Sequence, residues 1–383
     1  GGPEDPVSAW EDETFFHNRH GNADVYRGGY RPSGGNADAP EADDEAGLGQ
    51  EVIEPDEAML IDTISDLTRR QLQARLASSG GPAVRTAHAK THALVRAEFI
   101  VLDGLPEDLR HGVFSTPRVF DAIIRFSAAL GQVLPDTVQQ PRGMAIKLLG
   151  VDGPKLLDDE ADARTQDFVM INYPTFFLGN LEDYVAFTSA QGEAERNRFF
   201  DAHPDVAEAF TTLLRSPFHT PTQARYWSQT PYRLGPHAIK FSASPLSRRA
   251  DAELPQSGPD FLRAAIVEQV GREDIYYEFS VQLQQDPVTM PIENPMVEWD
   301  EAASPFRRVA LIRIPQQDIS AETNLAVAED LSFTPWHSLS DHRPLGSINR
   351  ARRVVYDAIS EFRHDYNEAQ RVEPAEIPAE LAR

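Results

Sequence analysis

Between His92 and Asn180 the chain carries four short runs rich in β-branched and aromatic residues, HALVRAEFIVLDG, AIIRFSAA, RGMAIKLLGVDG and DFVMINYPTFFLGN. Each is bounded by Gly, Pro or Asp, which reads as strand. A helical insert is expected over roughly Leu181 to Leu214, and strands resume with HAIKFSASP, DIYYEFSVQLQQ and VALIRIP. Strands in two batches, with helices between and after them, point to an α+β class: an antiparallel β-barrel core with appended α-helices. Ahead of the strands, Ala58, Ile61, Ile64, Leu67, Leu72 and Leu76 recur with helical period and stop before SSGGP. A last helix is expected from Ser347 as N-cap, with Ile348, Ala351, Val355, Ile359 and Phe362 on its core side.

The flanks differ in composition. Residues 1–48 are rich in Gly, Pro, Asp and Glu and show no periodicity, so they read as a disordered acidic arm. Residues 371–383, with EPAEIPAELAR, read as a frayed acidic tail, which leaves 49–370 as one globular domain. The net charge of -24 argues against nucleic acid as the main partner. With no cysteine, disulfides, iron–sulfur clusters, thiolate zinc sites and cysteine nucleophiles are excluded. No apolar run approaches the roughly 20 residues of a membrane span, and the chain carries no evident secretory signal. A cytoplasmic location is the expectation, with a processed N-terminus open because the sequence starts at Gly1.

No P-loop, GxGxxG fingerprint, GxSxG elbow or HExxH helix occurs. His88 and His92 in HAKTH have the spacing of a helical metal pair, but on a strand they would sit about 13 Å apart, so structural histidines are the expectation. The stretch RRVVYDAISEFR is less ordinary. At about 100° per residue, Arg352, Tyr356 and Arg363 fall within roughly 40° of one another. A helical tyrosine near arginine is usually a cation–π or surface contact. The same pattern also suits a tyrosinate iron ligand, because a guanidinium favours the phenolate.

Other segments lend weight to the second possibility. RTAHAKTHALVRAEF, the run RFSAALGQVLPDTVQQPRGMAIKLLGVDG, and DFVMINYPTFFLGN precede the R-x-x-x-Y helix in that order. Together they resemble the haem catalase superfamily over about residues 80–370. The middle segment is the most specific, keeping Arg125-Phe126-Ser127, Gly131, Asp136-Thr137, Pro141-Arg142-Gly143, Ala145 and Lys147. The resemblance implies a catalase-like fold binding haem b through its iron. It implies His88 as the distal acid–base group, Ser127 as its hydrogen-bonding partner, and Arg85, Arg125 and Arg363 as propionate holders. Arg352 and Tyr356 match the proximal arginine and the tyrosinate that ligates the metal.

Departures from the family pattern matter as well. Catalases carry two adjacent asparagines before T-P-x-F-F, and here the pair is Ile171-Asn172. Asn172 is taken as the catalytic asparagine, which requires the strand to bulge or shift by one; otherwise its side chain serves the backbone. Tyr184 stands where the family has a distal phenylalanine beside the cofactor. Thr91 follows HAK where glycines are usual. The chain resembles the minimal catalase core of the small catalase-related peroxidases. The implied activity is a haem peroxidase working through a ferryl state, with hydrogen peroxide or organic hydroperoxides as substrates, a small organic electron donor and little true catalase activity. A fatty-acid hydroperoxide dehydratase or isomerase (allene oxide synthase-like) and a non-catalytic haem-binding protein are the alternatives. The missing wrapping segments argue against the interlocked tetramer and leave a homodimer open.

Overall fold

The computed structural model describes residues 46–83, 85, 87–215, 220–246, 258–369 and 373–381. Residues 1–45 of the expected acidic arm lie outside them. The first amphipathic run forms α1 (Glu57–Ser79), which buries Ile61, Ile64, Leu72 and Leu76. The first batch of strands is β1 (Thr91–Val101), β2 (Val119–Ala128), β3 (Arg142–Leu149) and β4 (Thr165–Ile171). The helical insert divides into α2 (Leu181–Ser189), α3 (Glu193–Ala202) and α4 (Pro204–Leu214), with Pro204 opening the third. After it come β5 (Tyr226–Trp227), β6 (Tyr232–Leu234), β7 (His237–Pro245), α5 (Phe261–Arg272), β8 (Ile275–Leu283) and β9 (Arg307–Ile314). Helices α6 (Thr323–Asp330) and α7 (Ser347–Tyr366) follow.

The strand pairings are antiparallel. In the order β5-β4-β3-β2-β1-β9-β8-β7 they form a ring of eight, which β5 closes by pairing back onto β7, while β6 adds to β7. Side chains fill the barrel, as they do in small closed barrels. Phe168 lies at its centre, with ring centroids 5.9 Å from Phe99, 5.1 Å from Phe241 and 4.9 Å from Phe279. A packed interior leaves no room for a ligand, so function falls to the outer face.

Strand alternation decides what that face carries. Ile124 and Phe126 on β2, Met144 and Ile146 on β3, and Phe168 and Met170 on β4 point inward into the core. Their neighbours form three outer rows across the strands: Ser127–Gly143–Ile171, Arg125–Ala145–Val169 and Ile123–Lys147–Asp167. Successive rows stand about 7 Å apart, two residues along a strand.

Helix α7 buries Ile348, Ala351, Val355 and Ile359, and Phe362 is half-buried. Its N-cap is Gly346 instead of the expected Ser347. Gly346 has φ 88°, and a Cβ there would meet the Ile292 carbonyl oxygen at 2.8 Å, so a side chain is excluded at the cap itself. The Ser347 N–H is satisfied from outside, donating to Glu293 Oε1 at 2.9 Å. One residue pins this end down: Arg350 is ion-paired with Glu51, Glu57 and Glu293, which joins α7 to α1 and to the loop before β9. Residues 373–381, expected to fray, are packed instead. Leu381 is buried, and Glu373 enters an ion-pair cluster on the third outer row. No helix among the described residues is long and apolar enough to cross a membrane.

Candidate functional site at the outer face of the barrel

A recess opens where the first two outer rows meet α7. His88, Ser127, Gly143, Arg125 and Tyr356 all line it. An adjoining hollow shares Arg85, Ala87, Phe333 and Tyr356 with it and continues to Arg363. The two enclose about 350 and 360 Å³ of space between atoms, counting the part open to solvent.

His88 lies just before β1, with φ 53°, in the left-handed region that non-glycine residues enter at a cost of order 1 kcal/mol. The surrounding backbone holds it there. Its N–H donates to the Ala129 carbonyl at 2.9 Å, and its own carbonyl accepts from Arg125 Nη2 at 2.7 Å. Its Nδ1 is hydrogen-bonded to Ser127 Oγ at 2.8 Å, which leaves Nε2 as the nitrogen that Ser127 does not engage. Gly143 makes this pairing possible. A Cβ at that position would stand 2.5 Å from His88 Nδ1 and 2.6 Å from Ser127 Oγ.

Three guanidiniums gather beside Tyr356, and the C-terminal end of α6 organises them. Arg85 Nη2 donates to the carbonyls of Ala328 (2.7 Å) and Leu331 (2.5 Å). Arg363 Nη2 also donates to Leu331, at 3.4 Å. Carbonyls at a helix end attract cations. Glu329 is ion-paired with Arg85 at 3.3 Å. Arg125 Nε donates to Thr91 Oγ1 at 2.9 Å, so the residue that replaces a glycine in HAK serves as an acceptor. Burial pushes Arg125 well below the usual guanidinium pKa, and the like charges of Arg85 and Arg363 act in the same direction. Glu329 and Tyr356 oppose them. Arg85 is lowered by burial as well, against the fields of Glu329, Asp330 and Tyr356.

Arg352, Asn172 and Tyr184, also singled out in the sequence, are not among the residues that line the two hollows. Arg352 is fully buried in the helical layer, where its Nη1 donates to Thr230 Oγ1 and Asn349 Oδ1, both at 3.1 Å. Its guanidinium lies 5.8 Å from the centroid of the Phe176 ring. Asn172 needed a bulge or register shift to face the recess, and the β3–β4 register runs without one. Its Oδ1 accepts from the Arg142 N–H at 2.8 Å, and its own N–H donates to the Arg142 carbonyl. Parity instead puts Ile171 in the row of Ser127 and Gly143. Tyr184 is wholly buried on α2, within the cluster that also holds Phe176, Phe177 and Ile348. Asn172→Ala should cost about 1 kcal/mol of stability through one lost hydrogen bond, checked by urea unfolding.

No family model matches the sequence, and no curated protein matches it either. Solved structures match in shape. A fungal catalase superposes with a TM-score of 0.60 at 16% identity, over 87% of this chain and 68% of that one. Catalase A from Saccharomyces cerevisiae gives 0.59 at 16% identity, over 89% and 70% of the two chains. The chain has the catalase fold. A bacterial catalase agrees, with a TM-score of 0.59 and 16% identity over 92% of this chain and 72% of that one. Within this catalase fold the resemblance read from the sequence and the barrel topology coincide.

The third outer row carries a feature that sequence reading missed. Lys147 Nζ lies 2.8 and 3.0 Å from the two Asp167 oxygens, 2.9 and 2.8 Å from those of Glu373, and 3.2 Å from His337 Nδ1. Asp167, His337 and Glu373 could together surround a metal ion. In this catalase fold the lysine ammonium already stands where such a cation would sit. Burial pushes His337 down, but the Glu373 and Asp167 carboxylates outweigh it and raise its pKa from 6.5 to about 9. Burial raises Glu373, and Lys147 with His337 reverses this, taking it from 4.5 to about 2. The stabilisation from His337 is thus complete below pH 6.5 and disappears as pH rises through about 9, whereas that from Glu373 needs a pH above 4.5. Urea unfolding of wild type against His337→Gln should show a stability difference on the order of 3 kcal/mol near pH 6 that vanishes by about pH 10. Another hollow, about 900 Å³ counted with open solvent, lies beside this cluster and is lined by Asp159, Glu160, Asp162, Asp330 and Glu373. It carries neither the histidine nor the tyrosine of the site.

Proposed function

We propose that the recess holds haem b and that the protein is a haem peroxidase acting on hydrogen peroxide or organic hydroperoxides, with little dismutation of peroxide to oxygen. The observation that carries this reading is the sharing of one recess by the His88–Ser127 pair, Tyr356 and an arginine rim. The rim of Arg85, Arg125 and Arg363 would suit a ligand with two carboxylates. Tyr356 would ligate the iron through its phenolate oxygen, an anion that the nearby Arg85 and Arg125 favour. When bound, the haem iron supplies the redox centre at which the peroxide O–O bond is cleaved.

The chain's own residues handle the protons. His88 Nε2 accepts the proton of the attacking peroxide oxygen and returns it to the departing one, as general base and then general acid. Ser127 holds the ring by Nδ1 throughout. Ala145, Val169 and Phe333 line the recess with this pair and make its wall apolar. That supports hydroperoxides bearing an organic group, and it supports donor oxidation over the use of a second hydrogen peroxide as reductant. Supplied with peroxide and a phenolic donor, the haem-loaded protein should oxidise donor in step with peroxide consumed and release little oxygen. Rapid oxygen evolution without donor would refute the peroxidase reading. The same apolar wall favours a lipid hydroperoxide as a second possible substrate. An epoxide or isomer formed without donor consumption would make the protein a dehydratase or isomerase.

A further inference from the structure

The strap formed by residues 373–381 crosses the outer face one row away from the recess. Glu373 places both carboxylate oxygens on Lys147 and also accepts from Thr165 Oγ1. Ile377 and Leu381 join the small core that contains Ala145, Leu331 and Phe333. Ala145 and Phe333 are themselves walls of the recess. The turn that carries Phe333 is fastened to the same ion-pair cluster. The Thr334 N–H donates to Asp167 Oδ2 at 3.1 Å, and His337 Nδ1 lies 2.8 Å from Asp167 and 3.3 Å from Glu373. The Lys147 ammonium stands 5.3 Å from the Phe333 ring centroid, within reach of a cation–π contact.

We propose that the 373–381 strap holds the Phe333 wall of the recess in place, with Glu373 as the positioning residue, and that it thereby slows escape of the bound ligand. For the identity of that ligand, the proposal rests on the haem reading. The Phe333 ring lines the recess on both its His88 and Arg363 sides, so its freedom sets how widely the recess opens. Glu373 fixes the ring indirectly, through Lys147 and His337, and the strap's apolar side chains cover it from outside.

Glu373→Gln keeps the shape of the side chain and leaves Lys147 paired with Asp167. Glu373→Asp retains the charge, and Leu381→Ala loosens the strap without touching the cluster. Two measurements are made on each. Hydrogen exchange of the haem-free protein over residues 331–337 should rise about tenfold in Glu373→Gln and Leu381→Ala and recover in Glu373→Asp. Loss of haem from the loaded protein to an excess of a haem-scavenging protein should accelerate about tenfold in the same two variants. Unchanged exchange over 331–337 in Glu373→Gln would overturn the proposal, as would faster exchange with an unchanged rate of haem loss. If wild type takes up no haem, the functional reading fails, and the exchange measurement still decides whether the strap holds the wall.

Discussion

Gly143→Ala is expected to lower peroxide turnover by about 10²- to 10³-fold, within the range that one positioned acid–base group contributes, while haem content stays at the wild-type level. The reason is steric and local. The new Cβ would stand 2.5 Å from His88 Nδ1 and 2.6 Å from both His88 Cε1 and Ser127 Oγ, separations that real Cβ atoms essentially never show. The ring is held on its backbone side by Ala129 and Arg125, so its remaining route is to swing off Ser127. The 2.8 Å pairing breaks, and Nε2 no longer points where a proton must be taken and returned. The methyl group adds nothing on the α7 side, so binding through Tyr356 is untouched. Rates for Gly143→Ala, His88→Ala and Ser127→Ala measure this directly. Gly143→Ala should fall within tenfold of His88→Ala, with Ser127→Ala milder than either. Turnover within threefold of wild type in Gly143→Ala would remove His88 from the proton steps.

The second large effect is on retention of the cofactor. Tyr356→Phe is expected to weaken haem binding by about 10²-fold or more, since loss even of a supporting partner behind a metal ligand commonly costs ten- to a hundredfold. The protein itself should remain folded, because Tyr356 is half-buried and α7 is anchored by Val355, Ile359 and the Arg350 network. Its phenolate would act against burial on Arg85 and Arg125, raising both. Tyr356→His offers the iron a different ligand. It should recover much of the affinity with a displaced absorption band, which separates loss of ligation from loss of packing. Equal haem affinity in wild type and Tyr356→Phe would place the iron elsewhere.

Much of the barrel was legible because long strands announce themselves by branched residues between Gly, Pro and Asp. The closure was not. It depends on β5, whose two residues Tyr226 and Trp227 bridge β4 and β7 and carry no period of their own. Helix α6 was overlooked for a related reason, since it is eight residues long and buries Asn324 and Ala328 instead of a clear apolar stripe. In the site, the R-F-S alternation put Arg125 and Ser127 on one face, and the period of α7 put Tyr356 and Arg363 together. Arg352 shares that stripe and donates to Asn349, one turn earlier on α7, and to Thr230, an acceptor the helical period cannot show. Asn172 stands just past the end of β4, where the side chain accepts from the Arg142 N–H, a partner strand parity does not show. The Lys147 cluster draws its members from β3, β4, the turn before α7 and the strap, with Lys147 and Glu373 226 positions apart in the chain. No local pattern could have joined them.

Whether this recess is a haem pocket is decided by titrating the haem-free protein with haem and following absorption. One equivalent per chain should bind with a saturating, sharpened band, and replacing Arg125 and Arg363 together by alanine should weaken that uptake at least tenfold. Uptake that never saturates, or that is indifferent to the arginine rim, would contradict the claim, and the proposed chemistry would have no cofactor to work with.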